Sequence, residues 1–112
     1  MGVDWDGITQ LDVLNDKAAH ERIALADAAK TYDWPTVFEL LSRHQGWVNS
    51  SRPGGKSLFA PLHQVAHAGA PAEIARRLLQ LGAFRTLLNA QGERPVDVAE
   101  NRGHHHLREL LT

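Results

Sequence analysis

Apolar residues in the second half of the chain recur at helical spacing, and they do so twice. Ile74, Leu78 and Leu81 stand at i, i+4 and i+7, and Leu107, Leu110 and Leu111 at i, i+3 and i+4, so each stretch predicts a helix with one buried face. Each is preceded by a shorter segment that opens on proline and closes on glycine. Ala60-Pro61-Leu62-His63-Gln64-Val65-Ala66-His67-Ala68-Gly69 is answered by Arg94-Pro95-Val96-Asp97-Val98-Ala99-Glu100-Asn101-Arg102-Gly103, with both the prolines and the glycines 34 residues apart. Proline suits the first turn of a helix, where a missing amide hydrogen costs nothing, and glycine suits the left-handed residue that ends one. The pattern therefore predicts a repeated unit of short helix, tight turn and second helix, with Gly82 ending the second helix of the middle unit. A weaker copy precedes these two: Ala24 to Ala29, then Val37-Phe38-Glu39-Leu40-Leu41, closing on Trp47-Val48-Asn49. It has Ala24, Ala26 and Tyr32 where the later copy has proline, histidine and the turn glycine.

Residues Ala60 to Ala66 follow the pattern T-P-L-H-x-A-A, and Leu78-Leu79-Gln80-Leu81-Gly82-Ala83 with Asn89-Ala90 follows L-L-x-x-G-A…N-A. Gly92-Glu93-Arg94-Pro95-Val96-Asp97-Val98-Ala99 fits the later variant G-x-T-P-L-D-x-A. In these motifs, over roughly residues 22–112, the chain resembles the ankyrin-repeat family, whose period is about 33 residues. The resemblance implies an all-α fold, an ankyrin-repeat solenoid of about three stacked helix-turn-helix units with an atypical N-terminal repeat and an N-terminal capping segment. The chain divides accordingly into a cap at 1–15, the atypical repeat at 16–49, a repeat with a long finger loop at 50–90 and a final repeat at 91–112. Several positions depart from the pattern. The turn Gly69-Ala70-Pro71-Ala72-Glu73 carries one residue more than G-H-x-E, Arg77 replaces a leucine, and Phe84 to Leu88 replaces A-D-x-N. Asn15 or Asp16 is expected to cap a helix entering the first repeat, and Trp5, Ile8, Leu11 and Leu14 to lie as a lid on its outer face. Because the chain stops inside the final helix as the family draws it, an excised N-terminal module of a longer protein is expected.

Composition narrows the function classes. Twelve Lys and Arg against thirteen Asp and Glu leave a net charge of −1, which provides no large field for nucleic acid or anionic lipid. Cysteine is absent, so disulfides and thiolate metal sites are excluded. The start Met-Gly-Val-Asp-Trp-Asp has neither a basic stretch nor an apolar core of a signal, and no window approaches the ~18 apolar residues of a membrane span, so a cytoplasmic protein is expected.

Three motifs invite chemistry. His63 and His67 stand at i and i+4, the spacing that lets one helix face offer two ligands to zinc, but Gln64 replaces the glutamate of the metalloprotease motif. By the resemblance, His63 instead bonds to backbone of the neighbouring loop. His104-His105-His106 forms a His-rich tract, yet three consecutive residues on a turn diverge, and His104 falls on the family's G-H turn. Pro53-Gly54-Gly55-Lys56-Ser57 looks like the end of a phosphate loop but has Ser50 where that loop needs glycine, and Pro61 follows at once. No cofactor, no metal and no catalytic residue is expected, since nothing pairs a nucleophile with a base.

What remains is a surface. The resemblance implies a non-enzymatic module, expected to be monomeric, that binds a protein partner through its concave face and fingers. Arg52, Lys56 and Phe59 would come from one finger, Gln91, Glu93 and Arg94 from the next, and Gln64, His67, Glu100 and Asn101 from the first helices. Trp34 and Trp47 either fill the first repeat or offer hot-spot indoles, and Trp34, placed in an inter-helix turn, joins the binding set. A structural spacer or oligomerisation piece, or a His-based metal or enzymatic domain, are the alternatives from other classes.

Overall fold

The computed structural model describes the backbone from Val3 onwards and side chains from Lys17 to Thr112, and every regular element in it is helical. Six α-helices follow in order: α1 (Val3–Lys30), α2 (Trp34–Arg43), α3 (Pro61–Ala68), α4 (Ala72–Gln80), α5 (Pro95–Asn101) and α6 (Arg108–Leu111). Single 3₁₀ turns precede the first finger (Gln45–Trp47) and α6 (His105–Leu107). Among the described residues no helix is long and apolar enough to cross a membrane.

The helices group into three pairs. The end of α1 packs on α2, α3 on α4 and α5 on α6, while α1, α3 and α5 lie side by side as one layer and α4 touches α6 in a second. The two prolines occupy equivalent places, each opening its helix as the first helical residue. The residue two further on then reaches back to the amide before the proline. His63 Nδ1 accepts from Ala60 N–H at 3.2 Å, and Asp97 Oδ2 accepts from Arg94 N–H at 2.9 Å. One free amide of each helix start is thereby satisfied.

The three turns between paired helices close identically. Asp33 N–H donates to Ala28 O, Ala70 N–H to Val65 O and His104 N–H to Ala99 O, always five residues back. The residue before each donor is left-handed: Tyr32 at φ 64°, Gly69 at 67° and Gly103 at 75°. This is the helix ending for which glycine is ordinarily chosen, because a side chain there costs about 1–2 kcal/mol. Gly69 is doubly constrained, since a Cβ would lie 2.7 Å from the ring of His104.

The pairs are joined by hydrogen bonds between residues about one period apart. His104 Nδ1 donates to Ala66 O at 2.9 Å, His106 Nε2 to Ala70 O at 2.9 Å and Arg102 Nε to His67 O at 2.8 Å. On the finger side, Asn49 gives its amide to Gly82 O and accepts from Phe84 N–H. Between the layers Val37, Leu41, Leu62, Val65, Leu78, Ala99, Leu107 and Leu111 are buried, so neighbouring pairs share one apolar core. Arg77, unusual at its position, lays its guanidinium 3.7 Å from the centre of the Phe38 ring and thus ties α4 to α2.

Three expectations are corrected. α1 runs continuously from Val3, so no helix opens at Asn15 or Asp16. Leu81 is the residue after α4 and is 40% exposed, whereas Ala75 and Leu78 carry the buried face, because the helix unwinds before a third turn can bring Leu81 inward. Trp34 is the first residue of α2, half-buried and stacked on Tyr32 at 6.2 Å between ring centres, because Asp33 caps the helix immediately before it. The side chains of Trp5, Ile8, Leu11 and Leu14, expected as a lid, lie outside the described residues.

Candidate binding groove

The first helices and the fingers enclose two adjoining clefts. One wall of the first comes from α1, whose residues Arg22, Ala26 and Lys30 stand four apart and therefore share a face, with Leu25 and Ala29 beside them. Pro61, Gln64 and His67 of α3 form the opposite wall, and Ser50, Ser51, Arg52, Ser57 and Phe59 of the first finger close the side. The second cleft lies between that finger and α5, walled by Lys56, Gln91, Glu93, Asn101 and Arg102. Ser57, Phe59 and His67 border both, so the clefts, of about 320 and 510 Å³, form one groove divided by the Phe59 ring.

The fingers are pinned at several points. Asn89 is buried and folds the second finger on itself, its Oδ1 accepting from Gln91 N–H and Glu93 N–H at 2.9 Å each. Ala90 N–H donates to Ser57 O, linking the two fingers. His63 is fully buried between Ala60 N–H, which donates to Nδ1, and Glu93 O, which accepts from Nε2 at 3.0 Å. Both ring nitrogens are thus committed to backbone and fix the neutral tautomer. Burial, the larger effect, pulls the His63 pKa below the ordinary 6.5, against the opposing pull of the Glu93 carbonyl.

A shape difference between the pairs accounts for the first cleft. His63 fills the space between α3 and the second finger, and the corresponding residue of α1 is Ala26. With a methyl group in place of an imidazole, α1 cannot bond to the first finger there, and the space stays open. The finger is instead tied to α1 where Arg52 pairs with Asp27 at 2.6 Å.

Charge is unevenly spread over the walls. Arg22, Lys30, Lys56 and Arg102 lie along the groove without a carboxylate at ion-pair distance among the described residues. Glu93 faces them in the second cleft, its oxygens already accepting from Asn89 and Asn101. His67 lies 3.1 Å from the Tyr32 hydroxyl through Nδ1, and burial, helped by Arg102 and His104, lowers its pKa.

Of the residues singled out in the sequence, Arg52, Lys56, Phe59, Gln64, His67, Gln91, Glu93 and Asn101 are brought together along this groove. Arg94, Glu100 and Trp34 do not border it. Arg94 is turned onto Asp97, Glu100 pairs with Arg108 at 2.6 Å, and Trp34 packs against the core. Sequence reasoning missed Arg22, Lys30, Tyr32, Ser57 and Arg102. The four-residue spacing of Arg22, Ala26 and Lys30 carried a usable signal, because it places two cations on one helical stripe with a small residue between them. The three-histidine tract is divided between roles: His104 and His106 bond to carbonyls of the preceding pair, and His105 is exposed with Nδ1 3.8 Å from Glu100. No family model matches the chain, and no curated protein matches it.

Proposed function

We propose that this chain is a short ankyrin-type repeat stack, acting in the cytoplasm as a non-enzymatic module that holds a segment of a protein partner in the groove between its first helices and fingers. The observation that carries this reading is the groove itself. It is continuous over two clefts, has an aromatic ring at its centre and hydroxyl, amide and cationic groups around its rim. An apolar centre ringed by polar groups is the arrangement on which peptide and protein partners dock. The 34-residue spacing, the equivalent proline openings and the repeated turn bond support the ankyrin-type reading. The polar groups beneath the groove are already spent on holding its shape, His63 and Asn89 above all, which suits a rigid recognition surface.

The test is selection of a displayed library of random twelve-residue peptides on the 112-residue chain, followed by amide chemical-shift mapping with an enriched peptide. The reading predicts enrichment and perturbed amides concentrated in residues 22–32, 50–67 and 90–102. Absence of enrichment, or perturbations confined to α2, α4 and α6, would count decisively against it.

A further inference from the structure

Resting on that reading, we infer that the groove selects an acidic segment in extended conformation, with a small or medium apolar residue midway between two carboxylates. The first observation is charge. Although the whole chain is nearly neutral, all twelve Lys and Arg lie at or after Lys17, whereas Asp4, Asp6, Asp12 and Asp16 precede it. The excess of cations in the remainder is expressed at the first cleft, bordered by Arg22, Lys30 and Arg52 and, among the described residues, by no carboxylate. Among the described residues Arg52 is neutralised by Asp27, whereas Lys30 has no carboxylate at ion-pair distance and Arg22 meets the Trp47 ring, an uncharged partner. A partner carboxylate entering there gains an attraction that neither the cleft nor bulk salt already supplies.

The second observation is register. Arg22, Ala26 and Lys30 stand on one stripe of α1, each step about 6 Å along the axis at ~1.5 Å per residue. Alternate residues of an extended peptide, which face the same side, step by about 6.6 Å. A segment lying along α1 therefore sets positions i, i+2 and i+4 opposite Arg22, Ala26 and Lys30. Carboxylates at i and i+4 meet the cations, and the residue at i+2 enters the space left by the methyl group of Ala26, between Ala29 and the finger. The cleft admits such a course because both its walls, α1 from Arg22 to Lys30 and α3 from Pro61 to His67, extend about two helical turns. Main-chain groups of the segment pass the Ser50, Ser51 and Gln64 side chains. The second cleft, where Glu93 offsets Lys56 and Arg102, accepts the continuation without demanding negative charge.

Nucleic acid and anionic membrane fit less well. The cations line a cleft whose other lining includes apolar Leu25, Ala26 and Ala29, and the Phe59 ring is partly buried and packed against His63 and His67, which leaves less of it for base stacking.

The random-peptide selection separates the two claims. This inference predicts enriched peptides of net negative charge carrying Asp or Glu at i and i+4 around an apolar i+2. Their affinity should fall about tenfold or more with Lys30→Glu, fall similarly with Arg22→Glu, and weaken as NaCl rises from about 0.05 to 0.5 M. Lys30 is exposed, so its variant keeps the test valid if Arg22→Glu, which also removes the Arg22 contact with Trp47, fails to fold. Enriched peptides that map to the groove but are neutral or basic would overturn the acidic selectivity and leave the docking role standing. No enrichment at all sinks both. Binding of single-stranded oligonucleotide or of phosphatidylserine vesicles as tightly as of the enriched peptide would also overturn the inference.

Discussion

The first helix pair and the second reach the same turn by different chemistry, and the contrast explains where the groove lies. The second pair uses Pro61 to open α3, His63 to fasten it to the next finger and Gly69 to reverse direction. At the corresponding places the first pair has Ala24, Ala26 and Tyr32. Tyr32 accepts a left-handed backbone that glycine would take freely, and in return its hydroxyl reaches His67 and its ring stacks on Trp34. Ala26 contributes no bond to the finger, and the space it vacates is the first cleft. The more regular pair is thus closed by its own bonds, and the irregular pair leaves a cleft beside α1.

Substitutions at matched positions should break this contrast in a definite order. The largest effect is expected for His63→Ala, which empties a buried site and strands Ala60 N–H and Glu93 O, at a cost of about 3–4 kcal/mol in urea denaturation. Next comes Gly69→Ala, at about 3 kcal/mol, from the left-handed strain together with displacement of the His104 ring and its bond to Ala66 O. Gly103→Ala carries the strain alone, because a Cβ there meets nothing within 4 Å, and should cost only about 1–2 kcal/mol. Equal losses at the two glycines would show that the ring of His104 does not sit on Gly69. Tyr32→Gly should change stability least, as relief of strain offsets the lost hydroxyl bond and stacking to within about 1 kcal/mol.

Acidity probes the same division. His63 and His67 have folded-state pKa values below the ordinary 6.5, so the unfolded chain binds protons more readily than the folded one in mildly acid solution. Stability from these groups is complete above about pH 6.5 and declines as pH falls toward their depressed values. Thermal melting at pH 7.5 and 5.5 should show a lower midpoint at the acid end. In His63→Gln the drop should be smaller, and an unchanged drop would place its origin elsewhere.

Much of the architecture was legible because it rests on local rules. Proline at a helix opening, glycine at a left-handed turn and apolar residues at helical spacing each state their structure within a few residues, and Pro61, Pro95, Gly69 and Gly103 hold the places expected of them. The helix start at Asn15 or Asp16 failed because a capping residue is an opportunity for a start, with no force to prevent a helix from running through it. Leu81 was misplaced for a related reason: spacing identifies a face but does not say where the helix ends. Most of the proposed contact residues do line one groove, whereas Arg94 and Glu100 are held by Asp97 and Arg108, partners that only the folded chain brings into geometry. Arg22 and Lys30 went unnoticed because their helix belongs to the pair that lacks the repeat's landmarks, and a cleft made by a small side chain leaves no motif.

The most direct measurement introduces at Ala26 the imidazole that α3 carries at His63. In Ala26→His, the affinity of a library-selected peptide should fall about tenfold or more while the melting temperature stays level or rises, since the new ring occupies the first cleft and can bond to the first finger. Undiminished peptide affinity in a folded Ala26→His protein would contradict the account.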